Sequence, residues 1–191
     1  MVQQVPITIY LEENPNPNSL KFVLNRTLLP DGISYDFPTL ESAGKSPLAQ
    51  DLLKREEVTR VFYMNNFVTI TKTDASNWYE IRDEIKQLIS NYFNENKPLL
   101  LEDISDETFD ESDSEIVKKI KGILDEYIRP AVEQDGGAIS FHSLNEGVVK
   151  VLLQGSCSGC PSSTITLKAG IENLLKRMLP DDIQSVEALD G

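Results

Sequence analysis

The chain has 191 residues, of which 40% are hydrophobic, and its 31 acidic against 18 basic residues give a formal net charge of −13. This length allows one large domain or two small ones, and no segment approaches the roughly 18 consecutive apolar residues of a membrane span. Because so acidic a chain is repelled by nucleic-acid phosphates and anionic lipid, we expect no nucleic-acid partner and no membrane partner.

The start of the chain, MVQQVPITIYLEEN, lacks the basic and apolar regions of a signal peptide. It also lacks the Arg- and Ser-rich character of a transit peptide. On these grounds we predict a cytoplasmic location, where thiols are kept reduced.

The first part of the chain predicts strands followed by one long helix. ITIYL and SLKFVL are expected to be strands separated by the turn-forming EENPNPN, and VTRVFYM is expected to pair with NFVTITK across Asn65-Asn66. Alternation in NFVTITK predicts a half-buried strand in which Val68 and Ile70 face the core. The helix is indicated by apolar residues at helical spacing, namely Trp78, Ile81, Ile85, Leu88, Ile89 and Tyr92.

An acidic stretch separates this part from the rest. From residue 101 to 115 there are eight acids and no Lys or Arg: Glu102, Asp103, Asp106, Glu107, Asp110, Glu111, Asp113 and Glu115. Because like charges resist compaction, we predict a linker over residues 97–112, between a first domain of residues 1–96 and a second of residues 113–191. The apolar PLLLEDI stretch at its start can dock on the first domain.

The second part predicts a helix, a hairpin, a cysteine loop, a second helix and a strand. The first helix has apolar residues at Ile116, Ile120, Ile123, Leu124, Tyr127 and Ile128, and Pro130 is expected to end or kink it. AISFHSL and GVVKVLL should form a hairpin across Asn145-Glu146-Gly147, and IQSVEAL a last strand. The predicted fold class is therefore α+β, with two small α+β domains joined by the acidic linker.

The cysteine loop, GSCSGCPSST, contains the two cysteines of the chain, Cys157 and Cys160. Pro161 suits the first position of a helix, which places Cys160 at or next to the N-cap. The positive end of the helix dipole favours thiolates there, and Gly155 and Gly159 permit close approach of another group. We therefore predict two reactive thiolates on a strand-to-helix turn.

Four interpretations of this pair remain open on the residues alone. A zinc site needs four ligands, and His142, the sole histidine, supplies at best a third. A dithiol oxidoreductase or thiol-based chaperone fits the spacing, although a Cys-x-x-Cys of that kind normally follows the first strand of a βαβ unit. Two unreactive cysteines are a third interpretation. The fourth is a [4Fe–4S] cluster whose four thiolates come from two copies of the chain.

The wider sequence resembles the NifU-type iron–sulfur scaffold proteins over nearly its whole length. In the second domain the resemblance is carried by Arg129-Pro130, Asp135-Gly136-Gly137, the segment from Gly155 to Pro161, and Thr166-Leu167. In the first domain it is carried by NPNPNSLKF, SPLAQDLL, VTRVFYMNNFVTITK and the Trp78 helix. One departure is Ala138, where the family often has an acidic residue.

The resemblance implies a non-enzymatic scaffold or carrier, with Cys157 and Cys160 as ligands of a labile [4Fe–4S] cluster. It implies that the cluster is held between the two subunits of a homodimer, is received from an upstream donor and passes to apo iron–sulfur proteins. The first domain has neither His nor Cys. We expect it to recognise partners, with ENPNPN as a contact loop, or to act as a stabilising appendage.

Overall fold

The computed structural model describes residues 6–101, 113–158 and 161–190, except for the side chains of residues 161–163. The chain forms two compact units, Met1–Asp106 and Glu107–Gly191. Both units mix helices with a β-sheet, so the predicted α+β class is confirmed. No helix of the described residues is long and apolar enough to cross a membrane.

The first unit is a five-stranded antiparallel sheet with two helices. Its elements are β1 (Ile9–Glu13), β2 (Ser19–Leu24), β3 (Ser34–Phe37), a 3₁₀ turn (Ser42–Lys45), α1 (Pro47–Leu53), β4 (Val58–Met64), β5 (Phe67–Lys72) and α2 (Trp78–Asn94). The strand order is β1-β2-β5-β4-β3, so the sheet has β1 and β3 at its edges.

The predicted hairpin of β4 and β5 across Asn65-Asn66 is confirmed, as is the long helix α2. Two elements were not predicted, β3 and α1. β3 has only four residues and lies at an edge, and α1 has only seven. Such short segments show little periodicity, and only Ser46 as N-cap and Pro47 at the first helical position indicate that α1 begins there.

Strand β5 is buried on both faces, which corrects its prediction. Val68 and Ile70 join Phe22, Val61 and Tyr63 in the core against the helices. On the opposite face, Phe62, Met64, Phe67, Thr69 and Lys21 are buried as well. The prediction of a half-buried strand was therefore wrong, because a strand with two covered faces shows no reliable alternation.

The start of the predicted linker is bonded to the first unit. The Ser46 hydroxyl donates to the Leu99 carbonyl at 2.9 Å, and the Leu101 N–H donates to the Lys45 carbonyl at 2.8 Å. Ser46 Oγ also lies 3.1 Å from the Tyr63 hydroxyl, whose pKa is raised mainly because the ring is buried. The acidic residues 102–112 of the predicted linker lie outside the described residues.

The second unit has three strands and three α-helices. Its elements are α3 (Glu115–Ile123), a π-helical turn (Leu124–Ile128), α4 (Arg129–Gln134), β6 (Gly137–Asn145), β7 (Val148–Gly155), α5 (Pro161–Met178) and β8 (Ser185–Asp190). The strand order is β6-β7-β8; β6 and β7 are antiparallel, and β7 and β8 are parallel. Val149, Val151 and Leu153 of β7 pack with Ile120 and Ile171 in the core.

Pro130 neither ends the first helix nor leaves it regular. The helix widens into the π-helical turn directly before Pro130 and then continues as α4. A proline has no N–H and crowds the carbonyl four residues earlier, so a wider turn relieves both problems.

The predicted hairpin of β6 and β7 is confirmed. Glu146 and Gly147 both have positive φ, 47° and 77°, as a tight two-residue hairpin turn requires. The predicted last strand is confirmed as β8.

Candidate functional site

The cysteine loop lies between β7 and α5. Cys157 follows the last residue of β7 by two positions, and α5 begins at Pro161 as predicted. Gly159 and Cys160 lie outside the described residues. The structure therefore positions one of the two predicted cluster ligands, and the role of Cys160 stays a prediction from the sequence.

One end of each of the three strands lies at the same end of the sheet, next to Cys157. Gly137, the first residue of β6, pairs with Gly155, the last residue of β7. Asp190, the last residue of β8, pairs with Leu153. The loop is therefore built on the ends of all three strands and on the N-terminus of an 18-residue helix, where backbone N–H groups favour negative charge.

The turn that precedes β6 supports the loop. The Ser156 N–H donates to the Gly136 carbonyl at 3.3 Å, and the Ser156 hydroxyl donates to the Asp135 carbonyl. The same hydroxyl lies 3.9 Å from Cys157 Sγ. The Asp135-Gly136-Gly137 motif is thus a bonded neighbour of the cysteine loop.

Because Gly137 has no side chain, Cys157 can occupy the space next to it. A Cβ atom at this position would lie 2.6 Å from the Gln154 carbonyl oxygen and 2.9 Å from Cys157 Sγ. Atoms at these distances clash, so a side chain at residue 137 would displace the thiol or the strand. The sequence identified this glycine only as part of the Asp135-Gly136-Gly137 motif and gave no indication of its contact with sulfur.

The loop is packed closely around its sulfur. Cys157 is 7% exposed, and its neighbours Ser156 and Ser158 are buried. The Ser158 hydroxyl donates to Asp190 Oδ1 at 3.4 Å, and the Thr164 hydroxyl donates to the Cys157 carbonyl at 3.4 Å. Both α5 and β8 therefore hold the loop in addition to the turn before β6.

Glu172 joins α5 to β8, the two elements that border the loop. One carboxylate oxygen accepts from Lys176 Nζ at 2.6 Å, and the other accepts from the Val186 N–H at 3.0 Å. These two hydrogen bonds, that of Lys176 being the larger cause, hold the pKa of the Glu172 carboxyl below its ordinary value. Ionised Glu172 thus fixes the start of β8 against the helix.

His142 is not brought to the cysteine loop. It lies at a register shift in β6, is exposed, and has Nδ1 3.3 Å from Ser143 Oγ. It is five residues along the strand from Gly137, which corresponds to roughly 16 Å at the usual rise. Within residues 6–101, 113–158 and 161–190 the structure contains no group of three or more His, Cys, Asp or Glu suited to a metal ion.

The connection after the loop corrects one argument from the sequence. α5 leads from β7 to β8, which pairs with β7 in parallel. The segment β7–α5–β8 is therefore a βαβ unit with the cysteine loop after its first strand, so the topological objection to a dithiol site was wrong.

Two family models match the chain. Residues 9–96 match the scaffold protein Nfu/NifU N-terminal domain, and residues 120–187 match the NifU-like domain.

Curated relatives match both parts together. The chain is 44% identical over 181 residues to the "NFU1 iron-sulfur cluster scaffold homolog, mitochondrial" of Drosophila willistoni. The aligned region covers 94% of this chain and 62% of that protein. It is 43% identical to the protein of the same name from Drosophila grimshawi, with 94% and 60% covered. The chain thus spans about three-fifths of the length of these relatives.

Among solved structures, the chain is similar to the solution NMR structure of a NifU-like protein from Saccharomyces cerevisiae. The identity is 26%, with 54% of this chain and 92% of that chain covered and a TM-score of 0.47. This score is too low to indicate a shared overall arrangement.

The predicted cytoplasmic location is contradicted by the relatives, which are named as mitochondrial. The prediction rested on the first residues of the sequence. Because the chain spans only part of the relatives' length, its first residues give no information on targeting.

The two matched domains together account for most of the described residues, and the relatives match across both. The chain belongs to the NifU-like family, with an Nfu/NifU N-terminal domain followed by a NifU-like domain.

Proposed function

We propose that this chain is a non-enzymatic iron–sulfur cluster scaffold. Cys157 and Cys160 hold a labile [4Fe–4S] cluster that two copies of the chain share, receive from an upstream donor and pass to apo iron–sulfur proteins. The observation that carries the proposal is the position of Cys157, between the end of the central strand β7 and the N-terminus of α5, in a chain whose relatives are named as cluster scaffolds.

The number of thiolates supports sharing between two copies. A [4Fe–4S] cluster takes four cysteine ligands, and this chain has two cysteines. Its sole histidine lies far along β6 from the loop. Two copies supply the required four thiolates, so the cluster-bound form is expected to be a homodimer.

The helix surface beside the loop supports the approach of a second copy. Ile165, one turn after the start of α5, is 69% exposed, and Ala169 and Gly170 on the following turn are exposed and uncharged. In a chain of net charge −13, two copies repel each other. The exposed residues of this stretch include Lys168 and no carboxylate, so the two acidic copies meet there with little repulsion between carboxylates.

A cluster that two copies share is well suited to transfer to a recipient protein. Each copy holds half of the ligands, so incoming thiolates of a recipient can replace them one at a time as the two copies separate. The role of the protein is then delivery, with no reaction catalysed on another substrate.

The primary test replaces the ligands. We expect Cys157→Ser and Cys160→Ser each to abolish cluster binding after anaerobic reconstitution, measured as iron and acid-labile sulfide per chain. His142→Ala is the control and should bind the cluster as the wild type does. Full retention of iron and sulfide in either serine variant would refute the proposal.

A second test addresses the shared cluster. Ile165→Glu should weaken dimerisation of the cluster-bound protein by about tenfold or more, because two copies then place like charges opposite each other. Met178→Glu is the matched control, since Met178 is also exposed, 43%, at the far end of the same helix. The measurement is the molar mass in solution of anaerobic, loaded protein. A loaded monomer would exclude sharing.

One observation favours a second candidate function, a dithiol oxidoreductase or thiol-based chaperone. The βαβ unit around the cysteine loop is the setting in which such dithiols occur. Protein that takes up no iron or sulfide but reduces the disulfides of insulin would support this candidate. Protein that binds the cluster and leaves insulin unreduced would exclude it.

A further inference from the structure

A cleft in the first domain is not used by the cluster-binding proposal. It has a volume of about 690 Å³ and lies between the NPNPN loop and the first turns of α2. Its lining includes Leu11, Leu20, Lys72, Trp78, Tyr79 and Arg82. This volume is in the usual range of ligand pockets and accommodates a few side chains.

Hydrogen bonds hold both walls of the cleft in place. Asn14 Oδ1 accepts from the Asn16 N–H at 3.1 Å and from the Ser19 hydroxyl at 2.8 Å, which orders the loop. The Trp78 indole N–H donates to the Pro17 carbonyl at 3.2 Å and joins the loop to the helix. Because the cleft is already formed, a ligand loses little affinity to ordering it.

The lining combines the apolar side chains of Leu11, Leu20 and Trp78 with polar ones, and its charged residues are Glu13, Lys72 and Arg82. Tyr79 is 80% exposed, which is unusual for a ring that lines a cleft. The Arg82 guanidinium lies 5.1 Å from the Tyr79 ring centroid. Stacking on a ring orients the planar guanidinium and leaves its edge available for a hydrogen-bonding partner.

The ion pair of Arg82 with a carboxylate of the chain is a long one. The nearest acidic contact of Arg82 is Asp83, with Nε 3.9 Å from Oδ1, beyond hydrogen-bond distance. Among the described residues Arg82 Nε has no hydrogen-bond partner. Lys72, the other cation of the lining, already donates to Asn18 Oδ1 at 2.9 Å and to the Thr73 carbonyl at 3.2 Å. The Arg82 side chain is 40% exposed while its Nε is buried, so a ligand carboxylate can reach the guanidinium only through its terminal Nη groups.

The position of the cleft favours an extended peptide as ligand. Leu11 belongs to β1, an edge strand of the sheet, and the cleft opens beside it. Edge strands accept extended segments of other proteins through main-chain hydrogen bonds, while alternate side chains enter neighbouring pockets. We propose that this cleft binds an extended peptide segment of another protein, with an apolar side chain in the cleft and an adjacent carboxylate on Arg82.

The charge of the chain gives this site its selectivity. An acidic segment is repelled by a chain of net charge −13, whereas the lining of this cleft has two cations, Lys72 and Arg82, against one carboxylate, Glu13. The proposal does not depend on the cluster, because the cleft is lined by first-domain residues alone.

The test selects ligands without prior choice of sequence. A phage-displayed library of random heptapeptides is panned against the full-length wild-type chain. We expect enrichment of peptides with an Asp or Glu next to an aromatic or branched apolar residue. Absence of enrichment, or enrichment of peptides without a carboxylate, would overturn the proposal.

Variants then locate the binding. For the enriched peptides, Arg82→Gln should weaken binding by about tenfold or more, the usual effect of losing a charge-assisted hydrogen bond. Tyr79→Ala should weaken it as well. Lys86→Gln is the matched control, since it removes the same charge one helical turn away and is not part of the lining. Equal binding to the Arg82 and Lys86 variants would also overturn the proposal.

Discussion

The two domains differ in how far the side chains of their sheets are buried. The first has five strands, of which the inner ones, β2, β4 and β5, are largely buried on both faces, with Tyr63, Phe22 and Phe62 among the fully buried side chains. The second has three strands, and the side chains of β7 alternate between buried and partly exposed along the strand. Cys157 lies in the second domain, directly after the central strand of this smaller sheet.

This difference is consistent with the division of roles proposed above. A cluster that is to be handed over needs ligands supported by a few close contacts and able to exchange partners. A recognition surface needs a fixed shape, which the bonded walls of the first-domain cleft provide. We expect cluster binding by the second domain to depend on single close contacts. We expect the stability of the first domain to depend on its buried hydrogen bonds.

The largest effect is expected at Gly137. In Gly137→Ala the added methyl group meets the Gln154 carbonyl and Cys157 Sγ, so the backbone or the thiol must move. We expect loss of cluster binding, measured as iron and sulfide per chain, and destabilisation of the second domain by about 1–3 kcal/mol.

Gly122→Ala is the matched control for this variant. Gly122 lies in α3 of the same domain, and a Cβ atom there has no neighbour within 4 Å. This substitution should leave cluster binding unchanged and stabilise the helix by about 0.5–1 kcal/mol. If Gly137→Ala binds the cluster as well as the wild type, close contact at the sulfur is not required.

An intermediate effect is expected at Ser46 in the first domain. Ser46 is fully buried, caps α1, donates to the Leu99 carbonyl and contacts the Tyr63 hydroxyl. Ser46→Ala removes the cap and leaves buried polar groups without their partner, so we expect a loss of about 2–3 kcal/mol in urea unfolding. Faster hydrogen exchange at the Leu101 N–H should accompany it.

Ser114→Ala provides the comparison, because Ser114 caps α3 from an exposed position. It should cost about 1 kcal/mol, the usual value of a cap alone. Equal losses in the two variants would show that the buried contacts of Ser46 contribute nothing beyond capping.

The sequence predicted those parts of the fold that depend on local signals. The hairpin turn at Glu146 and Gly147, the start of α5 at Pro161 and the amphipathic helix α2 all follow from nearby residues. The short elements β3 and α1 did not, and neither did the second covered face of β5, since burial by distant segments has no local pattern.

The sequence likewise predicted only part of the candidate site. The identity of the cysteines and the helix N-terminus after them came from the sequence. The contact between Gly137 and Cys157 joins residues 20 positions apart, and the bond from Glu172 to Val186 joins residues 14 apart. Contacts of this kind depend on the register of β6, β7 and β8, which the sequence alone does not give.

The smallest effect is expected at Glu172, and it depends on pH. The pKa of this carboxyl is lowered in the folded chain, so its ionised form stabilises the fold at pH values above the ordinary Glu pKa of about 4.3. As the pH falls through the lowered pKa, the carboxyl becomes protonated and this stabilisation is lost. Glu172→Gln lacks the titrating group and should therefore lose less stability on acidification than the wild type.

The measurement compares urea unfolding of the full chain near neutrality and about two units below the ordinary Glu pKa. The difference between wild type and Glu172→Gln should favour the wild type near neutrality and shrink in acid. Glu187→Gln is the control, because it removes an exposed ion pair with Lys150 that has no bond to the backbone of a neighbouring element. If the Glu172 difference is the same at both pH values, the carboxylate does not join α5 to β8, and the cysteine loop is then held by the contacts of Ser156, Ser158 and Thr164 alone.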